Sequence, residues 1–231
     1  MALAANALTT YETARIELGA PDDDKNKAIV ERIINAVSDR IAAEAGGRIF
    51  QRSTGIVEKH PGHSDYRLAL GRAPIIGSIT SIILLQFDGT SLSTFDADSF
   101  EIESVADGIL FRMAGWPDTQ RPGRSIRGNL LPGTERKSVQ ITYDGGYVTP
   151  EQARNDALLT RDLPFDLEEA CLIGVASLYR GRGQNLKVNN EQTSDAATSW
   201  RDPGVRGTPP SIIPREVIQI ARSYMRYVNH G

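Results

Sequence analysis

The sequence has little of what disulfide bonding, membrane insertion or catalysis would require. Its 231 residues include a single cysteine, Cys171, so no disulfide can form within the chain, which fits a reducing compartment. No apolar run approaches the ~18 residues that a membrane-spanning helix needs. The first ten residues contain no basic residue, so we expect no secretory signal. The only histidines are His60, His63 and His230, and no Gly-x-Ser-x-Gly nucleophile elbow accompanies them, so we expect no enzyme.

The overall charge is also small. A net charge of -3 does not by itself mark a protein that binds nucleic acid or membranes, so any such role would need a local patch. The hydrophobic share of 40% and the charged share of 24% are ordinary for a globular protein with a core. Cys171 lies within an apolar helical pattern, which predicts a small buried side chain rather than a reactive thiol.

Helical patterns occupy the first part of the chain. Thr9 and Thr10 can cap a short helix. Residues 24–47 then carry an apolar residue at every third or fourth position, which predicts a long helix with one buried face. Acidic residues at positions 22–24 suit the start of that helix, and the glycine pair at 46–47 predicts its end.

The middle of the chain has the pattern of β-strands. Residues 48–66 show no clear period and are predicted as a loop or irregular extended segment. Residues 67–147 are rich in alternating and β-branched positions, with Asp-Gly turn signals at 88–89 and 107–108. They predict a small, mainly antiparallel sheet.

The last third returns to helix. Residues 162–181 have a helical apolar face, and Pro214 suits the start of a final helix. Residues 184–211 between them are polar and are predicted as a long loop. The predicted fold class is therefore α+β. A small helical bundle, formed by residues 1–50 and 162–231, contains an inserted and mainly antiparallel β region at 67–147.

A long loop at residues 115–137 is the first candidate site. It carries five basic residues against two acidic ones, and arginines on a loop can contact phosphates without reading sequence. A solvated loop, or one bonded to acidic residues on a neighbour, explains the same charges. Trp116 is expected to anchor the base of the loop by packing. The candidates for contact with nucleic acid or with a neighbouring chain are Arg121, Arg124, Arg127, Arg136 and Lys137.

Two further groups of residues are candidates of a different kind. Tyr224, Arg226 and Tyr227 crowd the final helix and suit an interface with another protein chain, although core packing explains Tyr224 equally well. His60, His63 and Asp65 could bind a transition metal. Their spacing matches no zinc motif, so we predict a solvated loop there, and neither a metal nor a cofactor.

The order of these patterns resembles the head–tail connector, or adaptor, family of tailed phages. Individually weak segments carry the resemblance in combination: Leu8-Thr9-Thr10-Tyr11-Glu12, the long helix ending in Gly46-Gly47-Arg48-Ile49-Phe50, Arg72-Ala73-Pro74-Ile75-Ile76, Ile79-Thr80-Ser81-Ile82, the strand and turn from Val139 to Tyr147, and the helix that follows Leu163-Pro164. The loops at 115–137 and 184–211 look longer than in the family's simplest members, so no role is transferred to them.

The resemblance implies a structural adaptor without catalysis or cofactor. Members of that family form a ring, commonly of twelve subunits, between the portal and the tail, and the ring extends the DNA channel. The implied partners are the portal protein, neighbouring copies, the next tail or stopper protein and the DNA in the channel. The implied location is the head–tail junction of a virion, after assembly in the host cytoplasm. The alternative function is a sequence-nonspecific DNA-binding module.

Overall fold

The computed structural model describes most of the chain: residues 2–61, 65–85, 89–117, 137–182, 191–193, 196–198 and 213–225. These residues form two compact units. The helical unit comprises Met1–Gly47 and Val148–Met225, and the β unit comprises Arg48–Tyr147. The chain thus leaves the helical unit once, builds the β unit, and returns.

Five α-helices and nine strands lie within the described residues. The helices are α1 (Tyr11–Leu18), α2 (Asp24–Glu44), α3 (Pro150–Asn155), α4 (Phe165–Arg180) and α5 (Arg215–Ser223). The strands are β1 (Ser53–Pro61), β2 (Arg67–Ala69), β3 (Ile75–Leu85), β4 (Ser91–Thr94), β5 (Glu101–Ser104), β6 (Ile109–Phe111), β7 (Lys137–Gly145), β8 (Glu191–Thr193) and β9 (Ala196–Thr198). The α+β prediction is confirmed. No helix within this described part is both long enough and apolar enough to cross a membrane.

The long helix α2 begins and ends where the sequence predicts. The Asp23 side chain caps it by accepting a 2.8 Å hydrogen bond from the backbone N–H of Asn26. Hydrogen bonds from Asn26 hold the pKa of Asp23 below its usual value. The helix ends at a glycine pair in the left-handed region, where Gly47 donates its N–H to the carbonyl of Ala42 at 2.9 Å. Its buried face holds the predicted apolar residues Val30, Ile33, Ile34, Val37 and Ile41.

Helix α4 packs against α2 at a position that only glycine fits. A Cβ built on Gly174 would lie 2.7 Å from Cγ1 of Val37. One helical turn away, Cys171 Sγ lies 3.7 Å from Ser38 Oγ. The two helices can therefore approach closely because Gly174 has no side chain.

Adding that side chain should loosen the helical unit. We expect Gly174→Ala to lower the free energy of unfolding by about 1–3 kcal/mol, because Val37 would have to leave its packed position. Helical circular dichroism during urea unfolding would measure the change. The double variant Gly174→Ala, Val37→Ala has room for the new methyl group. If it is destabilised by the sum of the two single effects, the proposed clash is absent.

The β unit contains two antiparallel sheets. The first has the strand order β1-β7-β3-β4 and the second has the order β2-β6-β5. In the first sheet Ile141 of β7 lies opposite Glu58 of β1 and Ile82 of β3. The core of the unit consists of buried residues from both sheets and from the segment after β6: Leu68, Leu70, Ile75, Ile82, Leu110, Trp116, Val139, Ile141 and Tyr143.

The loop predicted at residues 48–66 is wrong over β1, which pairs with β7 along its length. The register places Ile56, Glu58 and His60 opposite the buried residues Tyr143, Ile141 and Val139. Two of the three positions on the core side of β1 are thus polar. An alternation of apolar and polar residues, which is the usual signal of a strand, is therefore missing from the sequence.

The prediction of an unbroken polar loop at 184–211 also needs correction. Strands β8 and β9 pair antiparallel within it, with Gln192 opposite Ala197. Strand pairing uses backbone N–H and C=O groups, so a hairpin can form where few apolar side chains mark it. Helix α3 was not predicted either, although Thr149 and Gln152 form a reciprocal capping box at its start.

Candidate functional site

The predicted basic loop lies mostly outside the described residues. Arg121, Arg124, Arg127 and Arg136 all fall there. Lys137 is the first residue of β7, and its side chain is not described. The structure therefore defines the base of this loop but not the positions of its charges.

The base of the loop is fixed by Trp116, as predicted. Its indole is buried and donates through Nε1 to the carbonyl of Tyr66 at 3.2 Å. Its ring also meets the ring of Phe95 edge-on, with centroids 6.2 Å apart. On the other side, Ser138 Oγ donates to the carbonyl of Pro117 at 3.1 Å. Residues 118–136 thus leave and re-enter the β unit at adjacent points.

Of the predicted interface residues on the last helix, Tyr224 lies just after α5. Its hydroxyl hydrogen-bonds to the carboxylate of Asp166, at 2.7 Å from one oxygen and 2.9 Å from the other. The side chain is half-buried and joins the end of α5 to the start of α4. Tyr224 thus has a partner within its own chain, and its role at an interface stays a prediction. Arg226 and Tyr227 lie outside the described residues.

The histidine cluster is not assembled in the described part of the chain. His60 lies in β1 with its side chain buried, whereas His63 is outside the described residues. Asp65 accepts the backbone N–H of Trp116 through its carbonyl, at 2.8 Å. The described residues contain no group of three or more histidine, cysteine, aspartate or glutamate side chains able to hold a metal ion.

A polar cluster that the sequence did not reveal surrounds Glu58. Its carboxylate accepts hydrogen bonds from the Tyr143 hydroxyl at 2.7 Å, from the backbone N–H of Gly71 at 2.8 Å and from His60 Nε2 at 3.0 Å. Burial alone would raise the pKa of Glu58, but these hydrogen bonds outweigh it and lower the pKa to about 2. A Cβ on Gly71 would lie 2.7 Å from Glu58 Oε1, so the close approach requires glycine there.

This cluster connects three parts of the β unit. Tyr143 on β7 also accepts the backbone N–H of Arg72 at 3.0 Å. Arg72 in turn donates to the carbonyl of Gln51 at 3.0 Å. The carboxylate of Glu58 thus holds together β1, β7 and the connection between β2 and β3.

Cys171 is a buried free thiol in the helical unit. Its side chain is fully buried, and burial raises the pKa of the thiol to about 12. A thiol that remains protonated at neutral pH is a poor nucleophile. The prediction of a buried apolar residue is confirmed.

The strongest candidate surface of the helical unit lies between α3 and α4. It is called here the connection surface and spans residues 156–169. Leu158 is 92% exposed and Phe165 is 79% exposed, although both are large and apolar. Four exposed acidic residues accompany them: Asp156, Asp162, Asp166 and Glu169. Exposed apolar side chains ringed by charge are typical of a surface that binds another protein.

The basic residues near the connection surface are already paired. Arg161 lies 2.5 Å from the carboxylate of Glu168, and its guanidinium stacks on the Phe165 ring at 4.5 Å. Arg154 pairs with Glu12 at 3.2 Å and with Glu151 at 2.6 Å. These pairs leave the connection surface negatively charged.

Comparison with known structures finds the same fold in particle necks. A chain in the neck of an empty GTA particle, computed with C6 symmetry, matches with a TM-score of 0.52 and 16% identity. A chain in the virion of a native gene transfer agent (GTA) particle matches with a TM-score of 0.51 and 17% identity. A chain in the neck of a native GTA particle, computed with C12 symmetry, matches with a TM-score of 0.50 and 15% identity. Each match covers 100% of this chain and 96% of the other.

This chain shares the fold of those chains from end to end. The helical unit and the β unit are both included, since the whole chain is covered. No family model matches the sequence. No curated protein sequence matches it either. The fold expected from the resemblance to connector proteins is thus supported by structure where sequence similarity is low.

Proposed function

We propose that the chain is a structural adaptor in the neck of a phage or phage-like particle. The observation that carries the proposal is the full-length likeness of fold to chains from GTA particles, two of which are described as necks. The likeness extends over both units, which fits a shared structural role. The role requires no catalysis and no cofactor.

The proposed assembly is a closed ring of twelve copies between the portal and the tail. One of the similar necks was computed with C12 symmetry, which supports this number. A ring of identical chains needs a heterologous contact, in which two different surfaces of each copy meet the two neighbours. The surface that one copy presents to its neighbour must therefore be complementary to a different surface on that neighbour.

The further partners follow from that position. The portal protein lies on one side of the ring, the next tail or stopper protein lies on the other, and DNA passes through the channel. The location is the head–tail junction of the particle, reached after assembly in the host cytoplasm. Contacts with DNA or with subunits are proposed for Arg121, Arg124, Arg127, Arg136 and Lys137, and contacts with portal or subunits are proposed for Arg226 and Tyr227.

Mixing the purified chain with the portal of its own particle tests this function. We expect a complex that elutes earlier than portal alone in size-exclusion chromatography, with twelve copies of the chain by native mass spectrometry. The portal of an unrelated particle is the control and should not bind. Separate elution of portal and chain, at concentrations of tens of micromolar, would argue against an adaptor.

A further inference from the structure

The connection surface offers two chemical features to a partner. Leu158 and Phe165 provide apolar area, and Phe165 lies one helical turn before Glu169 on α4, so the two share a face. Asp156 accepts the backbone N–H of Leu158, and Asp166 accepts the Tyr224 hydroxyl, so neither contact neutralises the carboxylate. A complementary partner should therefore combine aliphatic side chains with positive charge.

Residues 118–136 have that composition. The segment contains four arginines against two acidic residues, a balance of +2. It also contains three large aliphatic residues, Ile126, Leu130 and Leu131. Burying aliphatic side chains of this size against a partner is favourable. The charges and the apolar residues of this segment both complement the connection surface.

The length of the segment allows it to reach another copy. It begins after Pro117 and ends before Ser138, and these two residues are hydrogen-bonded to each other. A loop of 19 residues with adjacent ends extends at most about 30 Å from its base. That distance is comparable with the diameter of a small domain.

We propose that residues 118–136 of one copy bind the connection surface of the neighbouring copy. This inference rests on the proposed ring. The loop belongs to the β unit and the connection surface belongs to the helical unit, so the contact is between two different surfaces, as a closed ring requires. Each copy then gives its loop to one neighbour and receives a loop from the other. The arginines of the loop serve subunit contact rather than the channel.

A disulfide between copies tests the proposed contact. One tagged copy carries Leu158→Cys and a second, differently tagged copy carries Leu130→Cys; the native Cys171 is buried and does not interfere. After assembly on portal and mild oxidation, we expect a reducible dimer that contains both tags. The control replaces Leu158→Cys with Ala28→Cys, at an exposed position on α2. We expect at least about tenfold less cross-linking in that control.

Reversing the charges gives a second, independent readout. We expect Asp156→Lys with Glu169→Lys to reduce ring assembly on portal at least about tenfold, through repulsion of the neighbour's arginines. Adding Arg124→Glu and Arg127→Glu to the same chain should restore assembly to within about threefold of the natural chain. Unchanged unfolding midpoints of both variants would show that folding is not the cause.

The outcomes separate this inference from the proposed function. If rings assemble but the two tags cross-link no more than the control pair, the inference is wrong and the adaptor function stands. In a further variant that carries Leu158→Cys and Leu130→Cys on one chain, a disulfide formed only within single chains would also overturn it, because the loop would then cover its own copy. If the natural chain forms no ring on portal, the proposed function fails and this inference fails with it.

Discussion

Replacing Gly146 with alanine is expected to destabilise the β unit by more than about 3 kcal/mol. Gly146 has a φ of 96°, which side chains other than glycine rarely adopt. A Cβ at this position would also clash with the carbonyl of Gln51, lying 2.7 Å from its carbon and 2.9 Å from the backbone nitrogen of Arg52. Backbone atoms cannot move aside as a flexible side chain can. Both the strain and the clash therefore oppose folding.

The matched control for this change is Gly55→Ala. Gly55 has a positive φ of 60°, but a Cβ there would meet nothing within 4 Å. Gly55→Ala should lower the free energy of unfolding by about 1 kcal/mol, which is the effect of backbone strain alone. Fluorescence of buried Trp116 during urea unfolding reports on the β unit, provided that Trp200 is first replaced by phenylalanine. Equal losses in the two variants would show that the close approach at Gly146 is not present.

Replacing Glu58 with glutamine is expected to cost about 2–3 kcal/mol at pH 7. The carboxylate accepts three hydrogen bonds, and a glutamine amide would present N–H groups to donors on one side. The side chain is 20% exposed, so solvent screens the interaction only in part. Urea unfolding at pH 7, followed by the fluorescence of Trp116, would measure the loss.

The contribution of Glu58 should also depend on pH with a definite sign. The pKa of Glu58 is about 2 in the folded chain and 4.5 in the reference state. Because the folded value is lower, the stabilisation is complete above the unfolded value and is lost as the pH falls toward 2. The difference between the natural chain and Glu58→Gln should therefore shrink between pH 5 and pH 2. A difference that stays constant over this range would contradict the hydrogen-bonded carboxylate.

A surface pair provides the control for Glu58. Glu103 pairs with Arg67, and the two side chains are 32% and 60% exposed. Glu103→Gln should cost less than about 1 kcal/mol, because solvent competes with an exposed ion pair. If this control loses as much stability as Glu58→Gln, burial is not what gives the Glu58 cluster its strength.

The elements that sequence predicts best are those with a single buried face. Helix α2 shows a clear apolar stripe and is capped by Asp23 and a glycine pair, so both its existence and its bounds follow from local chemistry. Strand β1 could not be found in this way, since Glu58 and His60 occupy its core side. Glu58 is tolerated there because it accepts hydrogen bonds from His60, from Tyr143 on β7 and from the backbone of Gly71, and these bonds are not visible in one sequence.

The candidate site was predictable only in part. The sequence identified Trp116 as the anchor of the basic loop, because packing explains a tryptophan at the base of a loop better than base stacking does. Sequence did not single out Leu158 and Phe165, because an apolar residue near a helix is usually buried. Their exposure became evident only from the structure. The acidic residues beside them form a candidate binding surface only because those apolar side chains are exposed.

Electron cryomicroscopy of the intact particle tests the central claim most directly. With the chain labelled at its C-terminus, the account predicts a closed ring of twelve labelled copies between the portal and the tail. The loop at residues 118–136 of each copy should lie on the connection surface of the next. Particles with a complete neck that contains no copy of this chain would contradict the account.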